Sequence, residues 1–355
     1  MNDKGLHTPE GVRDIYGKPC EKKLYLQDML FSIIKGYGYR PIETPAFEFF
    51  ETFSDEAGTT DLRDMFKFFD HEGNILVLRP DMTPPIVRCV GKYFSGSDMP
   101  KKFCYCGNTF LSHKSYRGKK FEYTQLGAEY LGVGSADSDA EVAAVMIRCM
   151  DACGLRDYKV IAGHAALDEE AIKAAGIAHE FVDDIGGLKE LFREIKDEKI
   201  SGAVGEMIAL EEALTDHGLG GRVEYELGLG STYEYYTGVI FSVYAKGCGH
   251  PIAGGGRYDK LARHFGTGDA AIGFAITIDS LLATLEKTEV DFYPGQSRVL
   301  IVYDRKRRRN ALQKAAELRK NCDSVELMIR QSNAGNVIYE SYAAEKEIGE
   351  IVYIE

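Results

Sequence analysis

Four polar residues stand at spacings that suit binding chemistry: Asp81 with Thr83, and Gln125 with Glu129. Alternate residues of an extended segment point to one face, so Asp81 and Thr83 face together, as do Gln125, Gly127 and Glu129. A carboxylate beside a hydroxyl suits an α-ammonium group, and a second carboxylate suits the N–H of an imidazole. Either pair alone also fits exposed strand residues. The run Tyr233-Glu234-Tyr235-Tyr236 adds aromatic walls and hydroxyls. A tyrosine hydroxyl can bind a ring nitrogen, although buried tyrosines find a partner in most settings. Gly254-Gly255-Gly256-Arg257-Tyr258-Asp259 invites comparison with a phosphate loop. It matches neither G-x-x-x-x-G-K-[ST] nor a G-x-G-x-x-G that follows a strand. A close backbone approach or a turn explains three glycines by itself.

Metal chemistry is not expected. Cys104 and Cys106 alternate on an apparent strand, and Cys149 and Cys153 lie four apart on an apparent helix. A site would need two such pairs or neighbouring histidines, and the 8 histidines are scattered. The 8 cysteines read as reduced thiols, which predicts a reducing cytoplasm. No run of 18 apolar residues predicts a membrane span, and Met-Asn-Asp-Lys-Gly at the start lacks an apolar signal core. The formal net charge of -12 opposes a phosphate backbone, so no nucleic-acid partner is expected. One local exception, Arg305-Lys306-Arg307-Arg308-Arg309 after Asp304, reads as the solvated start of a helix.

The elements that must position these residues follow from periodicity. Leu26, Met29, Leu30 and Ile33 predict an amphipathic helix over Lys22 to Lys35, stopped by Gly36 and Gly38. Two prolines make Tyr39 to Glu48 an extended edge strand. Short strands follow at Leu76 to Leu78, Lys102 to Tyr105 and Phe121 to Leu131. Ser138 with Glu141 predicts a capping box opening a helix whose apolar face carries Val142, Val145, Met146, Cys149 and Cys153. Ala166 to Asp216 is rich in Ala, Glu and Lys and predicts a small helical inserted lobe. Strands return at Tyr158 to Ala162, Val223 to Leu227 and Thr237 to Tyr244, and Ala271 to Ala283 passes from strand into helix. A boundary falls near Phe292 to Gln296. Beyond it, alternating strands and helices over 297–355 predict a small parallel α/β domain.

Taken in order, these segments resemble the class II aminoacyl-tRNA synthetases, and among them the histidyl enzyme. Gly11-Val12-Arg13-Asp14-Ile15, Pro45 to Glu48, Leu78-Arg79-Pro80-Asp81-Met82-Thr83, Phe110 to Glu129, Ser231 to Phe241, Gly254 to Asp259 and Gly273-Phe274-Ala275 carry the likeness, over about residues 8–285. The resemblance implies an α+β fold, with an antiparallel sheet flanked by helices over 1–292 and a shortened anticodon-binding-like domain over 297–355. It implies a dimer through the motif-one strand at Pro45 to Glu48. It also implies a histidine pocket of Asp81, Thr83, Gln125, Glu129, Tyr235 and Tyr236.

The departures point away from catalysis. Where the family places arginines on the ATP phosphate, on the nucleotide and before the twin tyrosines, this chain has Leu111, Ser280 and Ser231. His113 and Lys114 replace further charged residues of motif two. Positioned cations carry most of the stabilisation of phosphoryl transfer, and losing one donor costs on the order of a hundredfold in rate. A kept pocket with deleted ATP chemistry resembles the regulatory subunits of ATP phosphoribosyltransferase. That resemblance implies a non-enzyme that activates a short catalytic subunit and lets L-histidine inhibit it, as a homodimer within a hetero-oligomer and without a cofactor. A divergent histidyl-tRNA synthetase and a stand-alone histidine-binding module are the alternatives. Lys114 and Arg117 are the candidate cations for the ligand carboxylate.

Overall fold

The computed structural model describes residues 4–53, 60–94, 100–112, 120–174, 176, 181–182, 184–229, 235–268, 270–331 and 335–355. The chain divides into two units, Met1–Phe292 and Tyr293–Glu355.

The first unit opens with helix α1 (Lys18–Gly36), started by Pro19 in its first turn and burying Leu26, Leu30 and Ile34. Strands β1 (Arg40–Pro41) and β2 (Phe47–Phe49) follow. The single edge strand expected here is thus two short strands, and they belong to different sheets. Pro41 and Pro45 remove ladder donors. The Arg79 guanidinium holds the bend by donating to the carbonyls of Thr44 at 2.6 Å and Pro45 at 3.2 Å. Next come β3 (Lys67–Phe69), β4 (Ile75–Leu78), α2 (Thr83–Phe94), β5 (Lys101–Phe110) and β6 (Glu122–Leu131).

Helix α3 (Ala136–Ala152) is capped one turn earlier than expected. Ser135 is the N-cap, and Ser138 returns the bond from the third helical position. Glu141 is drawn off by Lys102, whose ammonium lies 2.6 Å away. Strand β7 (Tyr158–His164), α4 (Glu169–Ala174), β8 (Phe181–Val182), α5 (Ile185–Glu194) and α6 (Glu198–Asp216) come next. The lobe over 166–216 is therefore not wholly helical, because β8 pairs with β9 (Val223–Glu226). The unit closes with β10 (Val239–Ala245), β11 (Ala253–Arg257), α7 (Asp259–His264), β12 (Ala271–Thr277) and α8 (Ile278–Lys287).

The main sheet has the order β1-β5-β6-β12-β11-β10-β7-β9-β8. Its centre is antiparallel, and the pairs β1–β5 and β7–β9 are parallel. Alternation assigns the two faces. Cys104, Leu126, Ala128, Phe274 and Ile276 pack under α1, α3, α6 and α8 in the main core. Phe103, Tyr105, Met82, Ile86, Tyr235, Tyr258 and Leu261 pack on the other face with α2 and α7. A separate sheet, β2-β4-β3, presents Phe47, Phe49 and Phe68 on its open face, 52%, 54% and 38% exposed.

The second unit is β13 (Arg298–Tyr303), α9 (Arg308–Leu318), β14 (Ser324–Ile329), α10 (Val337–Glu345) and β15 (Glu350–Ile354). The strands are parallel in the order β14-β13-β15. Ala311 and Ala315 of α9 pack on one side, and Tyr339 and Ala343 of α10 on the other. Among the described residues no helix is long and apolar enough to cross a membrane.

Candidate functional site

Three central strands lose their side chains at one place on the α2 face. Gly127 on β6, Gly273 on β12 and Gly256 on β11 each sit where a Cβ would meet a neighbouring atom within 2.6 Å. The glycine run is thus a flat strand with close cross-strand contacts, not a phosphate loop. The floor so cleared lies under a pocket of about 140 Å³. Asp81, Thr83, Gln125, Tyr235, Tyr236 and Tyr258 line it, with Gly254 and Gly273 beneath.

Asp81 and Thr83 reach the pocket by a different route from strand alternation. Strand β4 ends at Leu78, and Thr83 is the first residue of α2. The Thr83 N–H donates to Asp81 Oδ1 at 3.2 Å, the Asx turn that leads the chain into the helix. The Thr83 hydroxyl donates to Glu129 Oε1 at 2.8 Å, and the Tyr258 hydroxyl donates to Glu129 Oε2 at 2.6 Å. The Tyr235 hydroxyl donates to Asp81 Oδ2 at 3.4 Å. Its ring lies 4.9 Å from that of Tyr236 and 5.9 Å from that of Tyr258, centroid to centroid.

Five of the six expected residues therefore line one pocket. Glu129 stands behind its wall, 1% exposed, sealed by Thr83 and Tyr258. Tyr258 is the residue that reading the sequence passed over. The signal for it was its place just beyond the glycine run of β11. Gln125 contributes the telling atom. Its Oε1 is buried and has no hydrogen-bond partner among the described residues, whereas buried polar groups are nearly always paired.

Burial decides the electrostatics. It pushes the Glu129 carboxyl up to about 8, against the bonds from Tyr258 and Thr83, which lower it. It pushes Asp81 up to about 6, against the N–H groups of Thr83 and Met82 and the Tyr235 hydroxyl. The Tyr258 hydroxyl rises well above its ordinary value, first through burial and then through Glu129. The pocket thus holds a proton near neutrality that a cationic ligand would expel. Stability follows the same groups. A raised carboxyl contributes most below its unfolded value, near 4.5 for Glu129, and that contribution is lost as pH rises through about 8. For Asp81 the window runs from 3.8 to about 6. The ligand-free protein should melt several degrees lower at pH 8 than at pH 5. Glu129→Gln should flatten the upper part of that slope in thermal unfolding. Parallel slopes in both proteins would contradict the assignment.

No Lys or Arg side chain lines the pocket among the described residues. Leu111 follows β5 and donates its N–H to the Phe121 carbonyl at 2.9 Å. Ser280 lies in the first turn of α8, its hydroxyl 3.1 Å from His250 Nε2. Ser231, His113, Lys114, Arg117, Tyr233 and Glu234 lie outside the described residues. Arg257 belongs to the frame. It is bound by Asp139 and by Asp259 at 3.3 Å. The described residues form no cluster able to hold a metal ion, and all 8 cysteines are free.

This pocket geometry sits in a fold shared with known proteins. The family model for histidyl-tRNA synthetase matches residues 11–190 and 183–281. The ATP phosphoribosyltransferase regulatory subunit of Ruminiclostridium cellulolyticum is 32% identical, over 98% of this chain and 92% of that protein. The chain belongs to this regulatory-subunit family, on a histidyl-tRNA synthetase domain. The regulatory subunit of Caldanaerobacter subterraneus is also 32% identical, over 97% of this chain and 100% of that one. A crystal structure described as an ATP phosphoribosyltransferase regulatory subunit/histidyl-tRNA synthetase from Bacillus halodurans matches with a TM-score of 0.83. It is 28% identical and covers 99% of this chain and 98% of that one.

Proposed function

We propose that this chain is the regulatory subunit of an ATP phosphoribosyltransferase, that histidine is its effector, and that the Asp81–Gln125–Tyr258 pocket is where histidine is read. The observation that carries the site is the buried Gln125 oxygen, unpartnered among the described residues, in a pocket with two acid groups and, among those residues, no lining cation. A protonated amine needs acceptors, and each polar group it buries must be paired. Asp81, Thr83 and Gln125 supply acceptors for the α-ammonium. Glu129, acting through Thr83 and Tyr258, sets the imidazole end, with Tyr235 and Tyr236 as its wall. Histidine must then bind the active and inhibited states of the complex unequally, since a ligand shifts an equilibrium only by its differential affinity. The working compartment is the cytoplasm, which keeps free thiols reduced.

The test is an ATP phosphoribosyltransferase assay with a short catalytic subunit. Added chain should raise the rate, and histidine should lower it only when the chain is present. A catalytic subunit indifferent to the chain would end the reading. Histidine-dependent exchange of pyrophosphate into ATP should be absent, because Leu111 and Ser280 cannot stabilise phosphoryl charge. Exchange at a synthetase-like rate would restore the enzyme reading.

The chain pairs with a second copy through the β2-β4-β3 sheet. Its open face of Phe47, Phe49 and Phe68 is the kind of apolar patch that a two-fold contact covers. Light scattering should give a dimer for the native chain and a monomer for Phe49→Glu. A native monomer at micromolar concentration would refute the contact.

A further inference from the structure

The second unit carries a surface that the pocket does not use. Residues 293–355 hold 11 Lys and Arg against 9 Asp and Glu, while residues 1–292 hold 32 against 46. The positive excess is concentrated in Arg305, Lys306, Arg307, Arg308 and Arg309, all exposed. No hydrogen bond or ion pair to another described residue engages these five side chains. Other cations of the unit do find partners: Arg330 with Glu355 at 2.9 Å, Lys314 with Glu317 at 3.1 Å.

The run also sits where positive charge is least welcome. Arg305–Arg307 form a 3-10 turn that leads into α9, and Arg308 and Arg309 open that helix, which has no acidic residue in its first turn and no side-chain cap. Helix N-termini carry a partial positive charge, so clustered cations there repel both the dipole and one another. Nothing described within the unit relieves this apart from Asp304 beside the run. An external anionic surface would.

The location adds apolar content. Arg330 ties together the carboxyl ends of the strands. Its N–H donates to the Tyr303 carbonyl at 2.8 Å, and its guanidinium reaches Glu355 and, at 3.1 Å, Asn336 at the start of α10. At this edge Ile329 is 43%, Val337 69% and Ile338 54% exposed, and Leu312 follows Arg308 by one turn at 50%. Protein interfaces are enriched in arginine around an apolar buried core, which this edge offers. Single-stranded nucleic acid would call for exposed aromatic rings to stack its bases, and Tyr303 at this edge is 8% exposed.

We propose that the edge formed by Arg305–Arg309, Ile329, Val337 and Ile338 docks an acidic, apolar-centred surface of a protein partner. On the reading above, which this inference deepens, the partner is the catalytic subunit. The test uses the full chain and the catalytic subunit in sedimentation and surface-plasmon experiments at low and high salt. Arg305→Glu with Lys306→Glu and Arg308→Glu should weaken association at least tenfold and reduce its salt dependence. Ile338→Glu should weaken it independently. Histidine affinity, read by calorimetry on the same variants, should stay unchanged, which excludes misfolding. Variants that associate like the native chain overturn the docking edge and leave the functional reading intact. A native chain that does not associate overturns both. Binding of a labelled RNA to the native chain, lost in the triple variant while the catalytic subunit still binds, overturns the choice of a protein partner.

Discussion

Glu129→Gln is expected to lower histidine affinity ten- to a hundredfold while leaving the fold and the activation of the catalytic subunit intact. Charged hydrogen bonds contribute about 1.5–3 kcal/mol, which sets that range. The polarity of two hydroxyls explains why so conservative a change should matter. Thr83 and Tyr258 line the pocket, and both donate their protons to Glu129. With the carboxylate ionised, both hydroxyl oxygens are left facing the ligand as acceptors for N–H groups. A glutamine must donate one of its own N–H groups, which turns one hydroxyl into a donor toward a cationic ligand. In the empty pocket the change costs little, because Glu129 near neutrality is itself protonated and has the same polarity as glutamine. Histidine binding to the native chain should therefore release a proton at pH 7. Calorimetry in two buffers of different ionisation heat should show that release, and should show it lost in the variant. Histidine inhibition of the complex should weaken in step with affinity. If affinity is unchanged in both Glu129→Gln and Asp81→Asn, histidine is sensed elsewhere.

The residues of this pocket were legible in the sequence because the order of segments carried them, yet the geometry that joins them was not. Asp81 and Thr83 read as neighbours on one strand face. They meet the pocket because Asp81 turns the chain into α2 through an Asx turn, and a residue two positions from the N–H it accepts looks the same in sequence as an alternating pair. Gln125, Gly127 and Glu129 do alternate on β6, but alternation says nothing of depth. It left Gln125 lining the pocket and Glu129 sealed beneath it.

The fold shows the same division. Helix α1, the strand-to-helix passage at Ala271 and the five elements expected after residue 297 each stand close to their expected places. Where the chain departs, a tertiary contact has intervened. Arg79 breaks the stretch from Tyr39 to Glu48 into strands of two sheets by taking the carbonyls between them. Lys102 takes Glu141 away from the cap that it was expected to complete. β8 is two residues long, so no hydrophobic pattern could announce it; it exists because β9 offers an edge to pair with.

The glycines of the pocket floor separate two roles that sequence cannot distinguish, and two alanine substitutions should divide them. At Gly273 a Cβ would stand 1.7 Å from Glu129 Oε2 and 2.7 Å from the Ala128 carbonyl. Backbone cannot withdraw from such an overlap, so Glu129 must leave Tyr258, and a buried donor loses its partner. Overpacking of this kind costs about 1–3 kcal/mol, and an unsatisfied buried group about as much again. Gly273→Ala should therefore lower the melting temperature by several degrees and abolish histidine binding together. At Gly254, in contrast, the nearest atoms would be 3.2 Å and 3.5 Å away, the Phe241 carbonyl and the Ser242 hydroxyl. That methyl would project over a floor position of the pocket with little cost to the protein. Gly254→Ala should keep the native melting temperature and still weaken histidine by roughly tenfold, the scale of one methylene's misfit in a binding pocket. Thermal unfolding and calorimetry on the two variants measure both quantities. A Gly254→Ala protein with native affinity would move the ligand off this floor. A Gly273→Ala protein with native stability would show that Glu129 is not held where its bonds to Thr83 and Tyr258 place it.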